Sequence, residues 1–542
     1  MNHKENTQKT KELIDGLKTI CSSFGLANSG YEYKIITEVF LYKFLNDKFL
    51  YEARQADKEL KNSKNIEQDL HKLSAKDYEY LLEKIGEKAA KLKRTHFISH
   101  LHNKQNTDDF ATLFDNTLLE ISDLNIKLFS VATISGEKIR LFERISQYII
   151  ESRDKTPFCK AIINKLVGFS FEPVFEEKYD FFSTIFEYLI SDYNKDSGQY
   201  GEYYTPRAVA KIMSRILVTL AVKSVRIYDP AAGSGSLLLS LAHQIGEEKC
   251  SIYSQDISQK SSEFLRLNLI LNNLTHSLNN VIKGNSLTNP YHKNDENNDL
   301  KKFDFVVSNP PFKTDFSDDR DTLASDMHKK RFFAGVPKIL NKDKKKMAIY
   351  LVFIQHIIYS LSANGKAAIV VPTGFITAQS GIERKIREKL IDEKMLRGVV
   401  SMPSHIFATT GTNVSVLFID KTNTKGNVVL MDASKLGTTV KEGKNQKTLL
   451  SNEDEELIIN TFNKQEAKDD FATVVSYDQI KEKNYSFSAG QYFNVKIEYT
   501  EITPKEFAVK MNEFKKNIEM LFAESKILEA EVKKQLGRAK YE

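Results

Sequence analysis

Long apolar runs are missing from this sequence: none approaches the 18 or so residues that a membrane-spanning helix needs. The opening residues, MNHKENTQKTKELIDGLKTI, also lack the apolar centre of a secretory signal. Cysteine is scarce. Cys21, Cys159 and Cys250 lie far apart without paired spacing, which argues against a disulfide framework and against a cysteine-based zinc site. The expected setting is therefore a reducing cytoplasm, with no membrane and no metal. Internal repeats and low-complexity tracts are absent. No G-x-x-x-x-G-K-[ST] loop occurs, so the chain is not expected to hydrolyse ATP itself. Excess charge is small: a net +6 over 542 residues permits a nucleic-acid partner without demonstrating one.

What is present is an ordinary globular composition, 41% hydrophobic and 28% charged, on a chain too long for one typical hydrophobic core. From about residue 5 to 170 the pattern is helical, as in YEYKIITEVFLYKFLNDKF, where Ile36, Val39, Phe40 and Phe44 recur at helix spacing. From about 205 to 430, short β-rich runs (VRIY, SIYS, FDFVVS, AAIVV, GVVSM, VSVLFI) alternate with helical stretches, the pattern of a parallel sheet covered by helices. After about 475 the chain passes through NYSFSAGQYF into a charged helix beginning near Pro504. The expected organisation is a helical N-terminal domain (1–170), an α/β domain (171–475) and a helical tail (476–542).

The α/β part opens with RIYDPAAGSGSLLLSLA: a strand ending at Asp229, a turn holding Gly233, Ser234 and Gly235, then an amphipathic helix. A side chain at these glycines would keep a ligand from the backbone, and the helix start offers free N–H groups to a polar or anionic group. Asp256 follows Gly235 by twenty-one residues, at the end of the next strand, where a carboxylate can accept both hydroxyls of a ribose. Together these describe a nucleoside site. A dinucleotide turn would want a third glycine where Leu238 stands. Asn285, in VIKGNSL, adds a polar position at a third strand end, suited to an adenine ring. The pattern fits S-adenosylmethionine at least as well as NAD.

VVSNPPF (306–312) then ends a fourth strand beside the same crevice. Pro310 and Pro311 fix the backbone and lack N–H groups, so the loop exposes carbonyls that no neighbouring strand claims. An exocyclic amine is a poor nucleophile because its lone pair is delocalised into the ring. The Asn309 side-chain oxygen and the Pro310 carbonyl can hold its two hydrogens and favour a pyramidal, nucleophilic nitrogen. Phe312 offers a ring face to a base that has left its duplex.

The series DPAAGSG, QD, GNSL and NPPF resembles that of the amino-group methyltransferases that modify adenine N6 in DNA, and its order resembles their gamma class. GEYYTPRAVAKIM, just upstream, is similar to the segment that precedes the methyltransferase core in the modification (M) subunit of type I restriction-modification systems. FLYKFLNDKF, MPSHIFATTGTNVSVLFIDK and FSAGQYF look like further signatures of that family, so the resemblance covers nearly the whole chain. One departure is Asn285, where relatives often carry an acid.

The resemblance implies a Rossmann-like, seven-stranded S-adenosylmethionine-dependent methyltransferase with a helical N-terminal domain and a C-terminal helical tail. It places Glu202, Tyr203, Tyr204, Thr205 and Pro206 at the cofactor pocket beside Asp229, the glycine turn, Asp256 and Asn285, and it makes Asn309 to Phe312 the catalytic loop. It also implies double-stranded DNA as substrate and a complex of two such subunits with one specificity (S) subunit, joined by a restriction (R) subunit. Thr205 before Pro206 reads locally as a helix N-cap with proline at the first helical position.

The basic run KILNKDKKKM could meet DNA phosphates, but it reads as a solvated loop, and His356 and His405 stand alone. In the tail, Phe507, Met511, Phe514, Ile518, Leu521, Leu528 and Val532 follow alternating steps of four and three, interrupted only at Ser525, which predicts a seam for a partner helix. Two rival readings carry different expectations. A methyltransferase acting on a protein glutamine amide can use a similar loop but is generally compact. A catalytically inactive assembly protein would not need Asn309 to Phe312 intact.

Overall fold

The computed structural model describes residues 3–27, 29, 31–129, 131–133, 138–175, 185, 188, 205–294, 296, 299–340, 342–407, 413–442, 445–493 and 502–536. The chain forms two compact units, Met1–Tyr492 and Phe493–Glu542.

In the first unit, the helix Glu32–Ala56 buries Ile36, Val39, Phe40 and Phe44, the four residues its spacing marks. They join a core that runs on without a break into the residues of the sheet. That sheet has eleven strands. In chain order they include β1 (Val131–Thr133), β2 (Lys138–Ile139), β3 (Val225–Asp229), β4 (Cys250–Asp256), β5 (Val281–Lys283), β6 (Phe303–Ser308), β7 (Leu361–Pro372), β8 (Leu396–Ser401), β9 (Val414–Asp420) and β10 (Val428–Asp432). A separate hairpin pairs β11 (Thr438–Glu442) with β12 (Asn445–Leu449), and β13 (Ala472–Val475) returns to the edge of the large sheet.

The seven central strands stand in the order β8-β9-β7-β6-β3-β4-β5, with β9 antiparallel to both its neighbours. They are the strands the β-rich runs mark, together with the short β5. Every residue of β9 and five of the six in β6 are buried, which is why these segments read as nearly continuous apolar runs. Four further strands depart from the expected seven: β10 and β13 extend one edge, β1 and β2 the other. β1 pairs in parallel with β5, matching Ala132 with Ile282, so the N-terminal region is not wholly helical but contributes two strands to the sheet.

The chain runs from β3 through β4 to β5 on one side and then resumes on the other side of β3 with β6. This reversal of strand order opens a crevice at the carboxyl ends of β3 and β6.

The end of the first unit also differs from expectation, since residues 476–492 belong to it and the tail starts later than 476. Arg387, fully buried, explains the attachment. Its guanidinium donates to the carbonyls of Tyr485 (2.9 Å), Phe375 and Ala378, and Phe487 N–H donates to the Ile376 carbonyl at 2.9 Å. The second unit contains the helix Pro504–Leu536, which buries none of its residues. The predicted seam lies on this helix, but Val509, Met520, Phe522 and Ile527 are also exposed outside it, so the apolar surface is wider than a narrow stripe. No helix among the described residues is long and apolar enough to cross a membrane. The three cysteines are free and buried.

Candidate functional site

A cavity of about 210 Å³ sits in the crevice, and each of the four strands β3 to β6 delivers a residue to it from its carboxyl end. Asp229 ends β3, Asp256 ends β4, Asn285 follows β5 by two residues, and Asn309 and Pro311 follow β6.

Asp229 is buried, and its Oδ1 accepts the Ala231 N–H at 2.9 Å and the Ser308 hydroxyl at 2.8 Å. Burial pushes its carboxyl up to about 7; the two hydrogen bonds oppose this and nearby Asp256 adds to it. The turn that follows needs glycine for two reasons. Gly233 and Gly235 hold φ of +52° and +83°, and a Cβ on Gly235 would meet Leu265 Cδ1 at 2.2 Å. Asp256 fastens this turn, since its Oδ2 accepts the Gly233 N–H at 2.9 Å while its Oδ1 accepts the Ser258 N–H at 2.8 Å. Burial raises its carboxyl too, against those two bonds. Each oxygen keeps a further lone pair for a ligand hydroxyl.

Pairing of β6 with β7 stops at Ser308, one residue before the proline loop. Asn309 is half-buried, and its Nδ2 donates to Thr205 Oγ1 at 3.3 Å across 104 residues of sequence. With the amide nitrogen so held, Oδ1 is left as the acceptor. Pro310 is buried, and Phe312 is half-buried, meeting Tyr350 edge-on with ring centroids 6.3 Å apart and planes at 71°.

A profile of the family described as N-6 DNA methylase matches residues 177–501, three-fifths of the chain, and spans every element of this cavity. The chain belongs to that family. Among its relatives, the type I restriction enzyme MpnII methylase subunit of Mycoplasma pneumoniae is 31% identical over 65% of the chain. The MjaIX methylase subunit of Methanocaldococcus jannaschii is 30% identical over 69%. These alignments span 64% and 65% of the relatives' own lengths, so the chain matches about two thirds of each. A solved methyltransferase subunit of the type I restriction-modification system of Streptococcus thermophilus superposes with a TM-score of 0.71 at 22% identity, over 90% of this chain and all of that one. That likeness establishes the fold.

Thr205, Asp229, Gly233, Ser234, Asp256, Asn285, Asn309 and Pro311 all line this cavity. Glu202, Tyr203 and Tyr204 lie outside the described residues. Gly235, Pro206, Pro310 and Phe312 stand beside the cavity without lining it. Two local expectations need correction. Thr205 is not the N-cap of the helix Arg207–Leu217; Pro206 holds that place, because the Thr205 hydroxyl is turned to the Asn309 amide. Asn285 is not a free amide facing the ligand, because its Oδ1 accepts the N–H groups of Leu287 (2.9 Å) and Thr288 (3.3 Å).

The cavity also takes residues that the sequence reading passed over. Ile257, 69% exposed, projects from the residue after Asp256 and lines it, as do Phe316, Asp319, Ile349 and Phe353. Phe316, Ile349 and Phe353 belong to a satellite core built mainly by the segment between β6 and β7, and no motif of their own marks them in the sequence. The basic run reaches this neighbourhood as a short turn, Lys344–Lys346, with Thr314 N–H donating to the Met347 carbonyl at 3.1 Å. His356 lies in a buried cluster, its Nε2 3.2 Å from the Tyr228 hydroxyl and its Nδ1 3.5 Å from Arg331.

The donor set suits a nucleoside with a cationic substituent. Carboxylates supply acceptors for ribose hydroxyls, the glycine turn lets the backbone approach, and apolar walls at Ile257, Pro311 and Phe353 suit a flat ring.

Proposed function

We propose that the chain transfers a methyl group from S-adenosylmethionine to N6 of adenine in double-stranded DNA. In this reading it is the modification subunit of a type I complex, within the reducing cytoplasm, and its target sequence is read by a separate specificity subunit. The observation that carries the reading is the position of Asn309. Its amide is clamped by Thr205 in the wall of the cavity that Asp256 and the glycine turn share, so a nucleophile held by Asn309 meets whatever that cavity binds.

Asp256 would hold the ribose hydroxyls of the cofactor, and the Gly233 turn with Asp229 would hold its amino-acid end. When bound, S-adenosylmethionine supplies a methyl group activated by its sulfonium charge. The chain's own groups prepare the acceptor. Asn309 Oδ1 and the Pro310 carbonyl take the two hydrogens of the adenine amino group, which turns the nitrogen lone pair out of the ring and toward the cavity. Phe312 keeps part of its ring surface open for the extruded base, whose unstacking costs a few kcal/mol. In the same reading the chain assembles with a specificity subunit, a second copy of itself and a restriction subunit; the relatives named as methylase subunits of type I restriction enzymes support its being one subunit of a larger enzyme. The exposed apolar helix Pro504–Leu536 offers the surface for a specificity subunit's helix.

The test is Asn309→Ala in the chain purified with its specificity subunit, assayed by tritiated methyl transfer to cognate DNA. Loss of one hydrogen-bonding group that acts in the transition state predicts a rate at least about 100-fold lower, with affinity for S-adenosylmethionine within about twofold. A rate near wild type would remove Asn309 from the chemistry.

A further inference from the structure

We propose that Asp319 selects the adenine ring of the cofactor by accepting a hydrogen bond from its exocyclic amino group, a role that the sequence pattern would give to residue 285. The inference rests on the reading of the cavity as an S-adenosylmethionine site and names the residue that sets its base specificity.

Asn285 stands at the carboxyl end of β5, where the ring of a nucleoside is expected. An amino group there requires an acceptor, and Asn285 has none to give. Both lone pairs of its Oδ1 are taken by the N–H groups of Leu287 and Thr288. What remains is its Nδ2, a donor, and this donates to Asp319 Oδ2 at 3.2 Å.

Asp319 comes from the segment that follows the proline loop, thirty-four residues further along the chain, and it lines the same cavity half-buried. The Asn285 bond fixes one carboxylate oxygen. Among the described residues, no hydrogen bond or ion pair is made by the other oxygen, although Arg320 follows directly and turns its own guanidinium to Asp321 and the Pro337 carbonyl. A carboxylate only accepts hydrogen bonds. It therefore suits the 6-amino group of adenine and opposes the 6-oxo group of hypoxanthine. The acceptor at this end of the sheet is thus supplied from elsewhere in the chain, with the Asn285 side chain orienting it.

The experiment measures, by calorimetry on the full chain, the dissociation constants of S-adenosylhomocysteine and of its 6-oxo counterpart, S-inosylhomocysteine. Wild type is expected to prefer the amino form by at least about tenfold, the value of one charge-assisted hydrogen bond. In Asp319→Asn the ratio should fall to within about threefold or reverse, since an amide can donate to the 6-oxo group. In Asn285→Ala, which keeps the carboxylate but removes the bond that orients it, the preference should shrink yet remain larger than in Asp319→Asn. Each ratio is taken within one protein, so a general loss of stability does not imitate the result. A tenfold preference surviving in Asp319→Asn overturns the inference, and its disappearance in Asn285→Ala alone assigns the role to Asn285. Equal binding of the two ligands by wild type also overturns the inference while leaving the cofactor reading intact. Binding of neither overturns the cofactor reading itself.

Discussion

Asp229 gives the structure a measurable pH signature. The residue is 1% exposed, it accepts from Ala231 N–H and the Ser308 hydroxyl, and the like charge of Asp256 adds a smaller push in the same direction as burial. Burial therefore dominates and lifts its carboxyl from the ordinary 3.8 to about 7. An acid whose folded pKa is raised contributes its stabilisation fully below the unfolded value, and that contribution is lost as pH rises through the folded one. Between pH 3.8 and about 7, at about 1.4 kcal/mol per tenfold change, the loss comes to about 4 kcal/mol. Asp229→Asn removes the titration while its carbonyl can still accept both hydrogen bonds. For a unit of 492 residues, an unfolding entropy of about 2.1 cal/mol/K per residue turns about 4 kcal/mol into roughly 4 °C. Raising the pH from 4.5 to 8.5 should thus move the melting temperature of the variant upward relative to wild type by about this amount, read by scanning calorimetry at pH intervals of one. A difference constant within about 1 °C across that range would refute the argument, because Asp229 would then be ionised throughout and its burial compensated. Under the proposed function a cationic cofactor favours the ionised form, so binding near pH 6.5 should release a proton, which calorimetry in buffers of different ionisation enthalpy detects.

The other predictions concern the same site and the tail. Asp256→Ala removes the acceptor that holds the Gly233 and Ser258 N–H groups as well as any ribose contact, so the dissociation constant for S-adenosylmethionine should rise at least about tenfold; an unchanged value takes Asp256 out of the site. Gly235→Ala forces a side chain into φ +83° and against Leu265, and should cost about 1–3 kcal/mol of stability, seen as a lower melting temperature; no loss would mean that the turn adopts another conformation. Truncation after Tyr499 should leave a folded chain that binds S-adenosylmethionine but no longer co-elutes with the specificity subunit, and persistent co-elution would show that the tail is not the principal joint.

The central strands were legible because burial on both faces writes them as apolar runs, and the glycine turn because glycine carries φ of +83° at Gly235 without strain and without a Cβ to meet Leu265. The helix Glu32–Ala56 was legible from the spacing of Ile36, Val39, Phe40 and Phe44, although the fold buries it on all sides from Glu38 to Asp47. The edge strands were not. β1 has three residues and β2 two, and no local pattern states that Ala132 pairs with Ile282. The same limit applies within the site. Sequence placed Asp229, Asp256, Asn285 and Asn309 at strand ends, since a carboxylate or amide that ends an apolar run must emerge from the sheet. Which atoms remain available there depended on partners that the motifs do not name, adjacent in sequence for the Asn285 oxygen and distant for the Asn309 amide. Thr205 took the Asn309 amide nitrogen from 104 residues away, the backbone of Leu287 and Thr288 took the Asn285 oxygen, and Asp319 arrived beside it from a segment with no motif of its own. Sequence by itself determined the α/β sheet, the glycine turn and the proline loop, because periodicity and backbone sterics are local. Only the tertiary structure decided which polar atoms face the cavity, because satisfying a buried donor or acceptor is a matter of whatever the fold brings within about 3 Å.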